Sequence, residues 1–304
     1  MSQTKCNVIG SRLYLAGSFS KEIEHALKNN RVTELEFLED WSDFSCFDGL
    51  VNEIEYIKLC GASESGKISA VDNIGVFIKL KKLVMLSKVK KDFDLSVLHN
   101  LEMIDAIWQA KLSTALKCNN LNKLIIHSVG SDFVNYFGQC SHVEYLWLSK
   151  PKIDDLSCLK YFPGLTTLRI TDAHKIETVD GIAYCKSLRK LDVENAKLLH
   201  DIGEVIQLQN LSNLRLIKLS ENLDISIVKS CSAIETLYVG GPNAPVLNWT
   251  VLLKNLPLKK VIGWWNPLDA PKDELLSALG SGKTPSRFDV VGGKGRQLLT
   301  IEFS

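Results

Sequence analysis

Leu101-Glu-Met-Ile104-Asp-Ala106, Leu121-Asn-Lys-Leu124-Ile-Ile126, Val143-Glu-Tyr-Leu146-Trp-Leu148, Leu165-Thr-Thr-Leu168-Arg-Ile170 and Leu188-Arg-Lys-Leu191-Asp-Val193 decide how this chain is read. The opening residues of these five blocks are 20, 22, 22 and 23 positions apart. Each block carries apolar residues at its first, fourth and sixth positions. A fixed period of this length marks a solenoid, because one repeat cannot hide its apolar face alone and must stack on the next.

Working outward, earlier blocks read Val32-Thr-Glu-Leu35-Glu-Phe37, Ile54-Glu-Tyr-Ile57-Lys-Leu59 and Leu80, Leu83, Met85. Val51, Ile54 and Tyr56 offer a rival register for the second of these. The Gly- and Ser-rich run from Gly61 to Asn73 reads as an insertion that leaves the stack before Val76 and Phe77 rejoin it. Later blocks open at Leu214, with Ile217 and Leu219, and at Ile234, with Leu237 and Val239; the step from Leu188 to Leu214 is then 26 residues. The last block, Leu258-Lys-Lys-Val261, has Gly263 in its third apolar place. Segments such as Phe44-Ser-Cys-Phe-Asp-Gly and Asp155-Leu-Ser-Cys-Leu are too short for long helices. They predict single α- or 3₁₀-turns whose Asp and Ser side chains accept from exposed backbone donors.

The ends break the pattern. Residues 1–31 read as an amino-terminal cap, with a strand at Leu13-Tyr-Leu15 and a helix capped by Ser20. Residues 264–304 read as a carboxyl-terminal cap: a helix after Pro271, then strands around Phe288 and over Gln297–Phe303, turning at Gly292-Gly-Lys-Gly295. Trp264 and Trp265 are expected to seal the last repeat.

Thirty-six basic residues nearly balance 35 acidic ones. This gives no bulk electrostatic reason to expect nucleic acid or an anionic membrane. The first residues lack a secretory signal, and no stretch approaches the roughly 20 apolar residues that span a bilayer, so the expected location is the cytoplasm. Of eight cysteines, Cys118, Cys140, Cys185 and Cys231 each stand three residues before a block, where Phe77, Leu98, Phe162 and Leu211 stand elsewhere. A place that accepts Cys, Phe or Leu is a core place, so these read as reduced structural thiols.

The run of blocks over roughly residues 32–263 resembles the leucine-rich-repeat family with its LxxLxL core. The resemblance implies an α/β solenoid: a curved stack with a parallel sheet on its concave side, short α- or 3₁₀-segments on its convex side and terminal caps. Members of this family commonly bind proteins through the concave side. The chain departs from the consensus at the ninth position, where Ala62, Ala196 and other residues replace the regular Asn or Cys.

Alternation along a strand turns positions one, four and six inward and positions three, five and seven outward. The outward rows place Val84, Leu86, Ile107, Ile125, Tyr145 and Trp147 in an apolar patch with charges on both sides, and the candidate protein-binding residues extend to Arg169 and Tyr238. Apolar surface rimmed by charge points to a protein interface, with aromatic rings as anchors. Glu34, Glu36, Asp192 and Glu194 read as solvated charges.

Six histidines form no metal signature. His127 projects near Asp105 and Lys123, but no nucleophile or pocket accompanies them. The glycine runs lack a full phosphate-binding pattern, and Lys81, Lys82, Lys88, Lys90 and Lys91 read as a solvated or steering cluster. The sequence therefore predicts a non-enzymatic protein-binding scaffold or adaptor with no metal or cofactor. Narrower readings are an inhibitor or immunity protein that blocks a toxin's active site, a secreted host-directed effector, or a homo-oligomer built on the same patch.

Overall fold

The computed structural model describes residues 5–303 apart from 42, 62–65, 137–139, 221, 242–243, 245–246, 269–270, 280–283 and 293–296. The chain divides into two compact units, Met1–Val143 and Glu144–Ser304. Both are leucine-rich-repeat stacks.

In the first unit, β1 (Lys5–Ile9) and β2 (Arg12–Ala16) form an antiparallel hairpin, followed by α1 (Lys21–Asn29). From β2 the ladder is parallel through β3 (Glu34–Phe37), β4 (Tyr56–Leu59), β5 (Lys82–Met85), β6 (Met103–Ile107) and β7 (Lys123–His127). The parallel ladder thus starts inside residues 1–31. The α1 cap is the one the sequence predicts: Ser20 Oγ accepts from Ile23 N at 3.4 Å, and Ile23 and Ala26 are buried.

In the second unit, β8 (Tyr145–Ser149), β9 (Thr167–Thr171), β10 (Lys190–Glu194), β11 (Asn213–Ile217), β12 (Thr236–Gly240) and β13 (Lys260–Trp265) run parallel. β14 (Pro285–Val291) and β15 (Gln297–Phe303) follow as an antiparallel pair, with β15 between β13 and β14. Helix α2 (Trp249–Asn255) precedes β13, and α3 (Lys272–Ala278) follows it. The Gly292–Gly295 turn lies mostly outside the described residues.

Stacking explains the alternation. The fourth-position residues Leu35, Ile57, Leu83 and Ile104 in the first unit, and Leu146, Leu168 and Leu191 in the second, are all fully buried. The carbonyl at position two of a repeat accepts two N–H groups from the next, as when Thr33 O takes Glu55 N at 2.8 Å and Tyr56 N at 3.2 Å. Between strands the chain returns through short 3₁₀ turns, including Ser45–Phe47, Ser157–Tyr161 and Ser226–Ser230. Aspartates open them: Asp43, Asp155 and Asp224 accept from Ser45, Ser157 and Ser226 N at 2.8–2.9 Å.

β7 to β12 end abruptly because the eighth residue of each of these repeats adopts a left-handed conformation, at Ser128, Lys150, Asp172, Asn195, Lys218 and Gly241. The ninth residue then turns into the core. Val129, Ala173 and Ala196 are fully buried there, so the missing Asn is replaced by apolar packing rather than by another polar bracket. Ala62 lies outside the described residues.

Two sequence expectations change, and one choice of register is settled. β11 pairs Leu191 with Leu214, so that repeat is Leu211, Leu214, Leu216, and the Leu214, Ile217, Leu219 register is three residues late. The true step from Leu188 is 23 residues, and the core place ahead of the block belongs to Leu208. The misreading arises because Leu211 through Leu219 is apolar enough to satisfy both frames. Near Ile54 the pairing of Leu35 with Ile57 selects the Ile54, Ile57, Leu59 frame. The insertion regains the core by Ile68, earlier than Val76, since Ile68 and Ala70 are fully buried and Ser69 N donates to Asp40 Oδ1 at 2.9 Å; residues 62–65 are outside the described set.

At the carboxyl end Gly263 occupies a core place because Leu247 fills it: a Cβ on residue 263 would fall 2.3 Å from Leu247 Cδ1. Trp265 is buried beside Phe288, with ring centroids 6.4 Å apart, and Trp249 Nε1 donates to Trp264 O at 3.0 Å.

Candidate functional site

The outward sheet face of the second unit carries one side chain per strand at position five: Trp147, Arg169, Asp192, Arg215 and Tyr238, in register on β8 to β12. Strand spacing of about 4.8 Å makes this row about 19 Å long. Neighbours on such a ladder must interact, and these do so by charge and ring. The Arg169 guanidinium lies 4.4 Å from the Trp147 ring centroid, and Arg215 lies 5.7 Å from that of Tyr238. Between the two arginines, Asp192 Oδ1 accepts from Arg215 Nη1 at 2.6 Å, and Asp192 Oδ2 sits 3.5 Å from Arg169 Nε. Glu194, two residues on, approaches Arg215 Nη1 at 3.2 Å and Arg169 Nη2 at 3.8 Å. Trp147 Nε1 donates to Thr171 Oγ1 at 2.9 Å, which fixes the indole edge.

Burial differs within the row. The Asp192 side chain is 9% exposed, whereas Arg169 and Arg215 are 34% and 35% exposed. The acid is therefore a buried anchor under two half-exposed cations. Burial works against the Arg215 charge, yet hydrogen bonds and attraction from Asp192 and Glu194 raise its pKa above the ordinary arginine value. Burial also raises the Tyr145 phenol. Arg169 Nε is buried without a hydrogen-bond partner, consistent with an ion pair to Asp192 rather than a well-formed hydrogen bond. Beside the row is a depression of about 190 Å³, lined by Lys190, Asn213, Arg215, Thr236, Tyr238 and Ile262, among others.

The first unit builds its outward face differently. Arg12 donates to Glu34 at 2.5–2.8 Å, Arg12 Nη1 reaches Glu36 at 3.4 Å, and Lys58 Nζ donates to the other Glu36 oxygen at 2.6 Å. Hydrogen bonding to Glu36 raises the Lys58 pKa. Further along, His127 Nε2 meets Asp105 Oδ1 at 2.8 Å, the juxtaposition the alternation predicts.

The predicted site residues separate accordingly. Trp147, Arg169 and Tyr238 share the ladder of the second unit, and Tyr145 is half-buried on the same strand as Trp147. In the first unit Leu86 is 47% exposed and Ile107 half-buried, but Val84 and Ile125 are buried, at 8% and 5%. They are therefore not exposed apolar surface. Val84 is a short side chain set in register between Lys58 and Asp105, and Ile125 lies opposite Asp105, so polar neighbours on adjoining strands flank both. Glu36 and Asp192 are likewise buried acceptors and not solvated charges. Arg215 escaped the sequence reading because the three-residue frame error left it off the outward rows; an Arg at position five, as at Arg169, was the signal that the earlier frame would have supplied.

Among the described residues no group of three or more His, Cys, Asp or Glu could hold a metal ion. Among the same residues no helix is long and apolar enough to cross a membrane.

No protein-family profile matches the chain, and no curated protein matches it either. Among solved structures, a leucine-rich-repeat protein of Leptospira interrogans is similar at a TM-score of 0.53 and 15% identity, over 79% of this chain and 62% of that one. An internalin of Listeria monocytogenes gives 0.48 and 15%, over 72% of this chain and 63% of that one. The chain thus spans less than two thirds of either protein. At 15% identity the likeness to the Leptospira protein speaks for the repeat fold alone.

Proposed function

We propose that the protein is a non-enzymatic protein-binding scaffold and that its recognition surface is the outward sheet face of residues 144–304. The observation that carries this reading is the Trp147–Arg169–Asp192–Arg215–Tyr238 row. It combines the residue types that dominate interface energetics, two aromatic rings and two arginines, in fixed rotamers on a rigid sheet. The rings are half-buried and the arginines about a third exposed, so each has surface left to bury in a complex. Because Asp192 and Glu194 hold the arginines in place, little conformational entropy remains to be lost on binding. The adjacent depression is below the usual size of a small-molecule site and suits one or two side chains of a partner.

Affinity capture with the wild type and with Trp147→Ala and Tyr238→Ala tests this reading. A partner recovered by the wild type should be lost or weakened with both variants while circular dichroism shows each still folded. Identical recovery with all three would refute the surface. A toxin-blocking inhibitor is the special case in which the recovered partner is an enzyme whose turnover stops in the complex, and a turnover assay on that partner separates it from an adaptor.

A further inference from the structure

β14 is the outermost strand of the carboxyl-terminal sheet, pairing with β15 and, among the described residues, with no other strand. Its free edge presents backbone donors and acceptors, and Val290 and Val291 beside them are 41% and 68% exposed. Pro285 and the bulge between Pro285 and Arg287 blunt the start of the strand, but Arg287 to Val291 pair regularly with Glu302 to Leu298. An edge of this kind accepts another strand unless its own side chains forbid it.

Charge says which strand it accepts. Lys260, Glu302 and Arg287 are direct neighbours across β13, β15 and β14, with Lys260 Nζ 2.6 Å and Arg287 Nη1 3.8 Å from Glu302 Oε1. The row therefore alternates plus, minus, plus and stops on an arginine at the open edge. Asp289, on the same face two residues on, forms an ion pair with Arg287 within the strand. A second copy of β14 laid antiparallel with the same face outward can pair only in registers that preserve face, since a one-residue slip turns every side chain over. Centred on Arg287 such a pairing opposes two arginines, and centred on Asp289 it opposes two aspartates. Centred on Phe288 it opposes Arg287 to the second copy's Asp289 and Asp289 to its Arg287, extending the alternation symmetrically through both molecules.

We propose that β14 is a self-association edge, joining two copies antiparallel about Phe288 with Arg287 and Asp289 as reciprocal partners. The partner is a second copy of this chain, and the surface is separate from the ladder argued above.

The test is a charge exchange read by sedimentation across a wide concentration range on the full chain. The wild type should self-associate. Arg287→Asp alone and Asp289→Arg alone should each weaken association on the order of tenfold or more, because like charges then oppose each other twice. Mixed together, the two variants should form a one-to-one heterodimer, since one brings two acids and the other two bases. Circular dichroism of each variant checks folding, and the mixture is its own control because a misfolded variant would not be rescued. A wild type that stays monomeric, single variants that associate like it, or a mixture that fails to pair would each overturn the proposal.

Discussion

On the outward face of the first unit a buried acid, Glu36, is shared by Arg12 and Lys58; on that of the second a buried acid, Asp192, is shared by Arg169 and Arg215. The electrostatic plan is the same, but the surroundings are not. In the first unit the row runs on into Val84 and Asp105, with Val84 shielded by its neighbours. In the second it is bracketed by two rings, Trp147 and Tyr238, each next to an arginine, where the first unit sets Arg12 5.0 Å from the Tyr56 ring centroid. A cross-strand ion-pair row settles the sheet in both units, while the two rings that bracket the second row make it the candidate for recognition.

The largest effect should come from binding. Trp147→Ala is expected to weaken a partner complex by about 2 kcal/mol, roughly thirtyfold in Kd, whereas Lys58→Ala should leave it unchanged. Titration calorimetry with the recovered partner checks both, and equal losses would erase the distinction between the faces. Next, Asp192→Ala removes the buried acid between two guanidiniums, leaving them the more exposed Glu194, and should cost about 2 kcal/mol in denaturant unfolding. That is below the roughly 3–5 kcal/mol of fully buried pairs, because the arginines can partly rehydrate. Glu36→Ala should cost less, since Arg12 keeps its two contacts to Glu34. A larger loss for Glu36→Ala would reverse the ranking. Arg169→Lys keeps the charge but loses the guanidinium's contact over the Trp147 ring, and about 0.5–1 kcal/mol of stability should go with it.

A smaller effect should be common to both units. Hydrogen bonds from Ser96 hold the Asp94 carboxyl below its ordinary pKa, and those from Ser226 do the same for Asp224. A carboxylate depressed by folding stabilises above its unfolded pKa and ceases to as pH falls through the folded one. The stability gap between wild type and Asp94→Ala or Asp224→Ala should therefore be present at neutral pH and close on acidification below about pH 4. A gap that persists or widens in acid would show that the turns are held by something else. Smallest of all is thiol reactivity. Burial pushes Cys158 and Cys185 up to about 12, and both should resist alkylation in the native protein near about pH 8, while the exposed Cys46 reacts.

How far these regions were legible before the fold was seen depended on how sharply local pattern ruled out neighbouring frames. Leu165, Leu168 and Ile170 admit one frame, so Arg169 was placed outward without coordinates. The run Leu211 to Leu219 admits two, and Arg215 was lost with the wrong one. The antiparallel hairpin of β1 and β2 was seen only as its second strand, and α2 was not seen, because short elements at stack ends have too few residues to show a period. Burial of Val84 and Ile125 was not legible either. Alternation states which way a side chain points, but whether it is covered depends on which side chains flank it on other strands.

The left-handed residue that closes each of β7 to β12 also bears on how the gene can vary. At Lys150, Asp172, Asn195 and Lys218 the backbone φ lies between 52° and 58°, a region that side chains branched at Cβ enter only under strain. Saturation mutagenesis should therefore reveal a periodic band of codons, recurring every 22 or 23 triplets, at which Gly and Asn are welcomed and Val, Ile and Thr are purged. That band would mark the repeat boundaries in fitness data even where the leucines have drifted beyond notice.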